Sequence, residues 1–367
     1  MAMTPRERYL CALHRGQPDR LPATTISWMS YHLQHYLGGM GVLEAFRHFG
    51  LEACVDASPR LPVDSPHWRV ETVERRDGEV TQTEMTVTTP EGTLHWRLES
   101  NPYTSWLTEH PIVELEQIRL IDRYWPAPRI DVARVQAVRQ EVGEWGVVQG
   151  EPSGWRQPGP WQDACEWVGT QRMIMETFDH PDWAHEFMEI LTRKRLETIE
   201  HMAGACIRWM PYDVMLTGGG AASSTVISPR LHQEYCLPYD RRIHEALHSL
   251  GYPISYHTCG GMMPILEIVA ANGCDCMEPF APPEVGGDAD LAEAKRRIGD
   301  RVCMKGGLDQ VNVLERGTPA SIREAVHQAF ADAGPAGGFI LCPSDHFYNV
   351  PVENLWAYAH AVRECVY

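Results

Sequence analysis

Short apolar runs alternate along this chain with longer stretches whose apolar residues recur at helical spacing. Eight of the short runs read as strands, at 21–26, 51–56, 147–149, 214–217, 254–257, 274–277, 302–304 and 339–342, and most are followed closely by Gly, Pro, Ser or Asp. The stretches between them carry helix signals. Thr4-Pro5-Arg6-Glu7 supplies an N-cap, a Pro at the first helical position and a capping-box Glu. Ser228-Pro229 opens a segment that runs to Gly251, and Thr318-Pro319 one that runs to Gly334, each stopped by glycine. In the latter, Ile322, Val326, Ala329 and Phe330 share one face; after Asp179-His180-Pro181 the stripe is Phe187, Ile190 and Leu191. The rhythm breaks once, at 62–125, where alternating stretches at 80–88 and 93–98 flank Pro90-Glu91-Gly92. This predicts a β-hairpin insertion between the second and third strands.

Eight strand–helix units in 367 residues match a (β/α)8 barrel of the TIM type, an α/β fold that would take all of 1–367 as one domain. Such a barrel keeps its chemistry at the C-terminal ends of the strands. A doubly wound open sheet is the alternative architecture, but no G-x-G-x-x-G follows the first strand.

Charge narrows the partners. Lys and Arg number 32 against 49 Asp and Glu, a formal net charge of −17 that repels phosphate backbones and anionic lipid. Neither nucleic acid nor a membrane is expected as a partner. With no run of 18 apolar residues and a charged start, the expectation is a cytoplasmic protein. The 11 cysteines, odd in number and scattered, then read as reduced thiols rather than a disulfide framework.

The densest candidate chemistry is Tyr256-His257-Thr258-Cys259-Gly260-Gly261, at the end of the fifth strand. Residues two apart on a strand point the same way, so His257 and Cys259 can face one metal, and imidazole with thiolate is a zinc-type donor set. A catalytic zinc takes three protein ligands and keeps one position open. Cys342, at the end of the eighth strand, is the leading third ligand. An H-x-C in a chain with 17 His and 11 Cys also arises by chance, and a buried thiol is commonly plain packing, the reading preferred for Cys274 and Cys276. Glu278, ahead of Pro279, is placed to point at the mouth as a base or substrate anchor. The glycines at 218–220 and 306–307 permit close backbone approach to a ligand, with Gly219 a candidate contact, yet neither run has the Lys and Ser/Thr of a phosphate loop. Trp28, Tyr31, His32 and Trp155 follow strands one and three and suit an aromatic wall, although packing accounts for them as well.

Several of these segments together resemble a known family. Met3-Thr4-Pro5-Arg6-Glu7-Arg8, Asp19-Arg20-Leu21-Pro22, Ile227-Ser228-Pro229, the His257-Thr258-Cys259-Gly260 segment and Pro351-Val352-Glu353-Asn354-Leu355 are similar to the uroporphyrinogen decarboxylase superfamily. The resemblance covers nearly the whole chain, least at 62–125, and implies the same barrel. One branch decarboxylates uroporphyrinogen without a cofactor and carries an arginine-rich loop after strand one; here 21–40 contain no Arg or Lys. The other branch transfers methyl groups between a corrinoid and a small molecule, using zinc held by an H-x-C pair and a distant Cys. His257 and Cys259 match that pair. The branch places its distant Cys just after Pro-Gly, whereas this chain reads Cys342-Pro343-Ser344-Asp345-His346, so Cys342, Asp345 and His346 all stand as third-ligand candidates.

The resemblance therefore implies a zinc-dependent methyltransferase working with a small methyl donor or acceptor and with a corrinoid (cobalamin), free or on a carrier protein. Glu278, Asp309 and Asp345 would orient substrate or handle its proton, with Trp28, Tyr31, Trp155, Gly219 and His346 lining the pocket. A metal-independent decarboxylase is the alternative.

Overall fold

The computed structural model describes residues 2–61, 65–152, 158–205 and 212–367. The architecture is α/β and TIM-like. Seven parallel strands form one sheet in chain order: β1 (Ala53–Asp56), β2 (Gly146–Gly150), β3 (Val214–Gly218), β4 (Ile254–His257), β5 (Cys276–Phe280), β6 (Cys303–Leu308) and β7 (Phe339–Pro343). All seven were legible as short apolar runs, and their ends shift by a few residues at most. In β5 the shift matters: the strand runs to Phe280 and so carries Glu278 inside it rather than beyond it.

The segment predicted as the first strand joins the two edges of this sheet. Ala23 bridges Leu341 of β7 in parallel. Leu341 N–H donates to Pro22 C=O at 2.9 Å, Thr24 N–H to Leu341 C=O at 3.0 Å, and Glu52 N–H, just before β1, to Ala23 C=O at 2.9 Å. A buried carboxylate fixes this junction. Glu52 is fully buried; its Oε2 accepts from Ala23 N–H at 2.7 Å, and its Oε1 from Arg8 at 2.6 Å and Arg20 at 2.8 Å.

Strand alternation sorts the side chains into two environments. Outward residues such as Val148, Met215, Tyr256, Met277, Met304 and Leu341 join the main core against the helices. Inward residues Cys54, Val147, Val214, Cys276, Cys303 and Ile340 form a separate cluster, which Tyr9, Ala12 and Leu13 of the helix Pro5–Leu13 close from below. Thiols here act as small apolar residues in a crowded interior. Two positions further along β1, β2, β5 and β6 the inward residues become polar, Asp56, Gln149, Glu278 and Lys305, and His257 of β4 stands level with Glu278.

The expected first strand, 21–26, is only an isolated bridge at Ala23, so the sheet has seven strands rather than eight. Two further sequence expectations change. The stretch 62–125 holds not a two-stranded hairpin but a four-stranded antiparallel meander, Arg69–Asp77, Val80–Thr89, Gly92–Ser100 and Ser105–Glu109. Its first strand is exposed at every residue, so no apolar alternation marked it; such a charged edge also discourages pairing with other chains. The meander buries Val87, Leu94 and Trp96 in a second core with Trp125, Trp161 and Trp167. The segment 228–251 is two helices, Pro229–Tyr235 and Leu237–Ser249, because Pro238 lacks the N–H that would continue the first. No helix among the described residues is long and apolar enough to cross a membrane.

Removing the carboxylate that closes the sheet deprives Arg20 of its carboxylate partner and Arg8 of one of its two, the other being Asp19. Glu52→Ala is expected to destabilise the protein by about 3–5 kcal/mol, measured by equilibrium urea unfolding. A loss below about 1 kcal/mol, the scale of an ordinary substitution, would show that closure does not depend on it.

Candidate functional site

Parallel strands end on the same side, so residues far apart in sequence share the mouth. His257 ends β4 directly opposite Glu278 of β5 in the strand register. Its Nδ1 lies 3.3 Å from Glu278 Oε1, and its Nε2 lies 2.7 Å from Cys259 Sγ. The other carboxylate oxygen of Glu278, Oε2, accepts from Lys305 Nζ at 2.7 Å and from Ser255 Oγ at 2.9 Å. Glu278 and Lys305 are each only 2% exposed, which makes them a fully interior ion pair.

The ionisation of the group follows from these contacts. Burial alone would neutralise Glu278, but Lys305 and His257 outweigh it and hold the carboxyl well below its usual range. Lys305 is likewise held charged against burial by Glu278. Burial disfavours the imidazolium of His257, while Cys259 and Glu278 push it well up. The arrangement fixes the ring with one nitrogen committed to a carboxylate and the other aimed at a thiol that water can reach.

Two further acids stand two and three strands away from His257. Asp56 at the end of β1 accepts from Gln149 Nε2 at 2.7 Å, and Glu151, just past β2, has its N–H on Ser58 Oγ at 2.9 Å. Burial, then the neighbouring Asp56, push Glu151 up to about 7 against the pull of Arg60, Arg195 and His257. Burial likewise raises Asp56, offset by the Gln149 hydrogen bond. Between these acids and His257 the end of β3 runs into Gly218-Gly219-Gly220. Gly219 N–H donates to His257 C=O at 2.8 Å, and a Cβ on Gly220 would lie 3.7 Å from Cys259 Sγ. The backbone itself therefore forms the wall beside the thiol.

Of the residues expected from the sequence, the structure brings together His257, Cys259 and Glu278, with Gly219 against them. Cys342 is fully buried; burial raises its thiol, Lys305 pulls it down, and Glu278, Cys54 and Cys276 raise it further. Among the described residues no group of three or more His, Cys, Asp or Glu side chains is disposed to hold a metal. Beyond β7, Asp345 and His346 are exposed; His346 Nδ1 pairs with Ser27 Oγ at 2.7 Å, and Asp345 Oδ1 accepts from His346 N–H at 2.7 Å. His346 also feels His257, which together with burial lowers its ionisation against Asp345. Asp309 caps the turn after β6, accepting from Val311 and Asn312 N–H at 2.8 and 2.7 Å. It borders a groove of about 810 Å³ whose lining includes neither His257, Cys259 nor Glu278. Trp28 is core, stacked on Phe49 and edge-on to Phe46 and Phe347. Tyr31 sits half-buried against His35 and Tyr103 beside a 330 Å³ pocket. Trp155 lies outside the described residues.

Sequence reasoning missed Lys305, Ser255, Asp56 and Glu151. Period-2 alternation held the signal for two of them: Ser255 precedes His257 by two, and Lys305 stands alone as a charge in the apolar run Cys303–Leu308.

Comparison with known proteins places these observations. Residues 156–365 match the family model described as uroporphyrinogen decarboxylase (URO-D). A methylated-thiol–coenzyme M methyltransferase from Methanosarcina mazei is 26% identical over 211 residues, covering 56% of this chain and 51% of that protein. A uroporphyrinogen decarboxylase from Aliivibrio salmonicida is 31% identical over 188 residues, 48% of each chain. The matched stretch thus spans about half the length of these curated relatives. A solved methyltransferase from Methanosarcina mazei superposes over 99% of both chains with a TM-score of 0.65 at 18% identity, a likeness of fold.

The raised carboxyl of Glu151 makes stability fall with pH. Its folded value of about 7 exceeds the ordinary 4.5, so its contribution is complete below about 4.5 and is lost as pH rises to about 7. Urea midpoints of wild type and Glu151→Gln at pH 5 and pH 8 should therefore diverge, with the variant gaining relative to wild type at pH 8. A difference independent of pH would contradict the assignment.

Proposed function

The chain belongs to the uroporphyrinogen decarboxylase family, and from that membership together with the His257–Cys259 pair we propose that it is a zinc-dependent methyltransferase. It would move a methyl group between a small O-, S- or N-methyl compound and a corrinoid, free or on a carrier protein. The observation that carries this reading is the convergence of an imidazole nitrogen and a thiol at a strand end, with the second imidazole nitrogen taken by a buried carboxylate. That is the pattern by which proteins orient a histidine ligand, the outer hydrogen bond fixing which nitrogen faces the metal. Similarity to a methylated-thiol–coenzyme M methyltransferase supports it.

The donor set suits zinc as far as it goes: His257 Nε2 and Cys259 Sγ would hold the ion. The third donor comes from the end of β7, from Cys342 or from the Asp345–His346 turn. When bound, zinc supplies a Lewis acid that stabilises a thiolate at neutral pH or polarises the heteroatom bearing the methyl group. The rest is done by this chain. Glu278 holds the His257 ring, and Gly219 and Gly220 let the backbone close beside the thiol. Asp56 and Glu151 face the same mouth, where a carboxyl near 7 can take or return a proton. The stretch 21–40, without a single Arg or Lys, offers no cationic clamp for a polycarboxylate, which weighs against decarboxylation of uroporphyrinogen.

Two measurements test the reading. Purified wild type is expected to hold about one zinc per chain after mild chelation, as ligand sets of this kind do, and Cys259→Ser to hold almost none. In parallel, Cys342→Ser separates the third-ligand candidates: loss of metal assigns the thiol, retention assigns the Asp345–His346 turn. Reduced cobalamin with methylated thiols, amines or aromatic ethers should then yield methylcobalamin, followed by its absorption. Negligible zinc in wild type together with release of carbon dioxide from a carboxylated substrate would replace this reading by a lyase.

A further inference from the structure

Lys305 plays no part in the proposed chemistry, yet it occupies the most restrictive environment in the mouth. It extends from β6 to Glu278 at 2.7 Å, and both groups are 2% exposed. A buried ammonium–carboxylate pair is a poor way to gain stability, since apolar residues of similar volume commonly serve as well. What the pair does supply is direction. Lys305 Nζ and Ser255 Oγ both donate to Glu278 Oε2, which leaves Oε1 turned to His257 Nδ1. An ammonium can only donate and a carboxylate only accept, so the chain has one sense: Lys305 to Glu278, and His257 Nδ1–H to Glu278. Ser255 cannot impose that sense, because a hydroxyl both donates and accepts.

We propose that Lys305 is a positioning residue: by anchoring Glu278 through Oε2 it holds the Nδ1–H of His257 and so keeps Nε2 turned to Cys259 and the open mouth. The proposal rests on the reading above in one respect, that Nε2 is the working nitrogen. Lys305 itself touches neither substrate nor metal. The inward alternation of β6 puts it there, two residues beyond Cys303, above the thiol layer and beside Glu278.

The test reads the ring directly in the full-length protein labelled with ¹⁵N-histidine, with the His257 signals assigned by their loss in His257→Gln. In metal-free wild type, the Nδ1–H proton is expected as a slowly exchanging low-field resonance. In Lys305→Met, which keeps the bulk and removes the ammonium, that resonance should exchange at least tenfold faster, and zinc affinity by chelator competition should fall at least tenfold. Ser255→Ala should leave the Nδ1–H resonance in place. The proposal is overturned if wild type carries no protected Nδ1–H, if Lys305→Met protects it as wild type does, or if Ser255→Ala alone abolishes the protection. Should Lys305→Met fail to fold, the wild-type and Ser255→Ala spectra decide. Because the resonance is read without metal, a wild type that binds no zinc would remove the proposed function and leave this test standing.

Discussion

A carboxylate and an ammonium shut away from water, Glu278 and Lys305, set the terms for everything around them. Each ion taken into the interior costs several kcal/mol after relaxation. That cost is offset only where geometry and further hydrogen bonds are good, and here both partners are pinned: Glu278 by Lys305, Ser255 and His257, Lys305 by its strand. Three neighbouring parallel strands must keep their register for this to hold, because His257, Glu278 and Lys305 come one from each. The charges at the mouth and the sheet beneath them are therefore one mechanical unit.

The level below explains how such a pair is tolerated. The inner cluster of Cys54, Val147, Val214, Cys276, Cys303 and Ile340 is buried and closed by the N-terminal helix. Apart from Ser255, level with Cys276, the polar groups of the mouth stand one alternation higher, where they reach one another. The thiols of Cys54 and Cys276 have pKa values raised by burial, so they stay neutral within that cluster. Cys259, beyond the strand end, is partly exposed and lies 2.7 Å from His257 Nε2.

The family match and the meander divide the chain unequally. Residues 156–365 carry the family likeness and contain β3 to β7, hence His257, Cys259, Glu278, Lys305 and the β7 end. The preceding part supplies Asp56, Glu151 and the meander. One tip of the meander reaches the loops around the mouth: Tyr103 packs on Tyr31, and its carbonyl accepts from Tyr348 at 2.8 Å. The part outside the family match thus contributes to the surroundings of the mouth, while His257 and Cys259 sit in the matched part.

What could be read from the chain alone was whatever local chemistry repeats along it. Short apolar runs with turn residues after them located all seven sheet strands, and the capping residues Thr4, Ser228 and Thr318 marked helix starts that the structure shows, because strand burial and helix capping act within a few residues. His257 and Cys259 were legible for the same reason, being two apart on one strand. Glu278 was read as a mouth carboxylate, but its partners were not. Lys305 pairs with it across 27 residues, and Asp56 sits against Gln149 across 93, distances over which no sequence period extends. Trp28 has the composition of a pocket wall and lies in the core, and the charged strand Arg69–Asp77 has no apolar face to announce it. Those outcomes depend on which elements meet, and that is decided by curling a parallel sheet until its strand ends converge, a step that only tertiary packing takes.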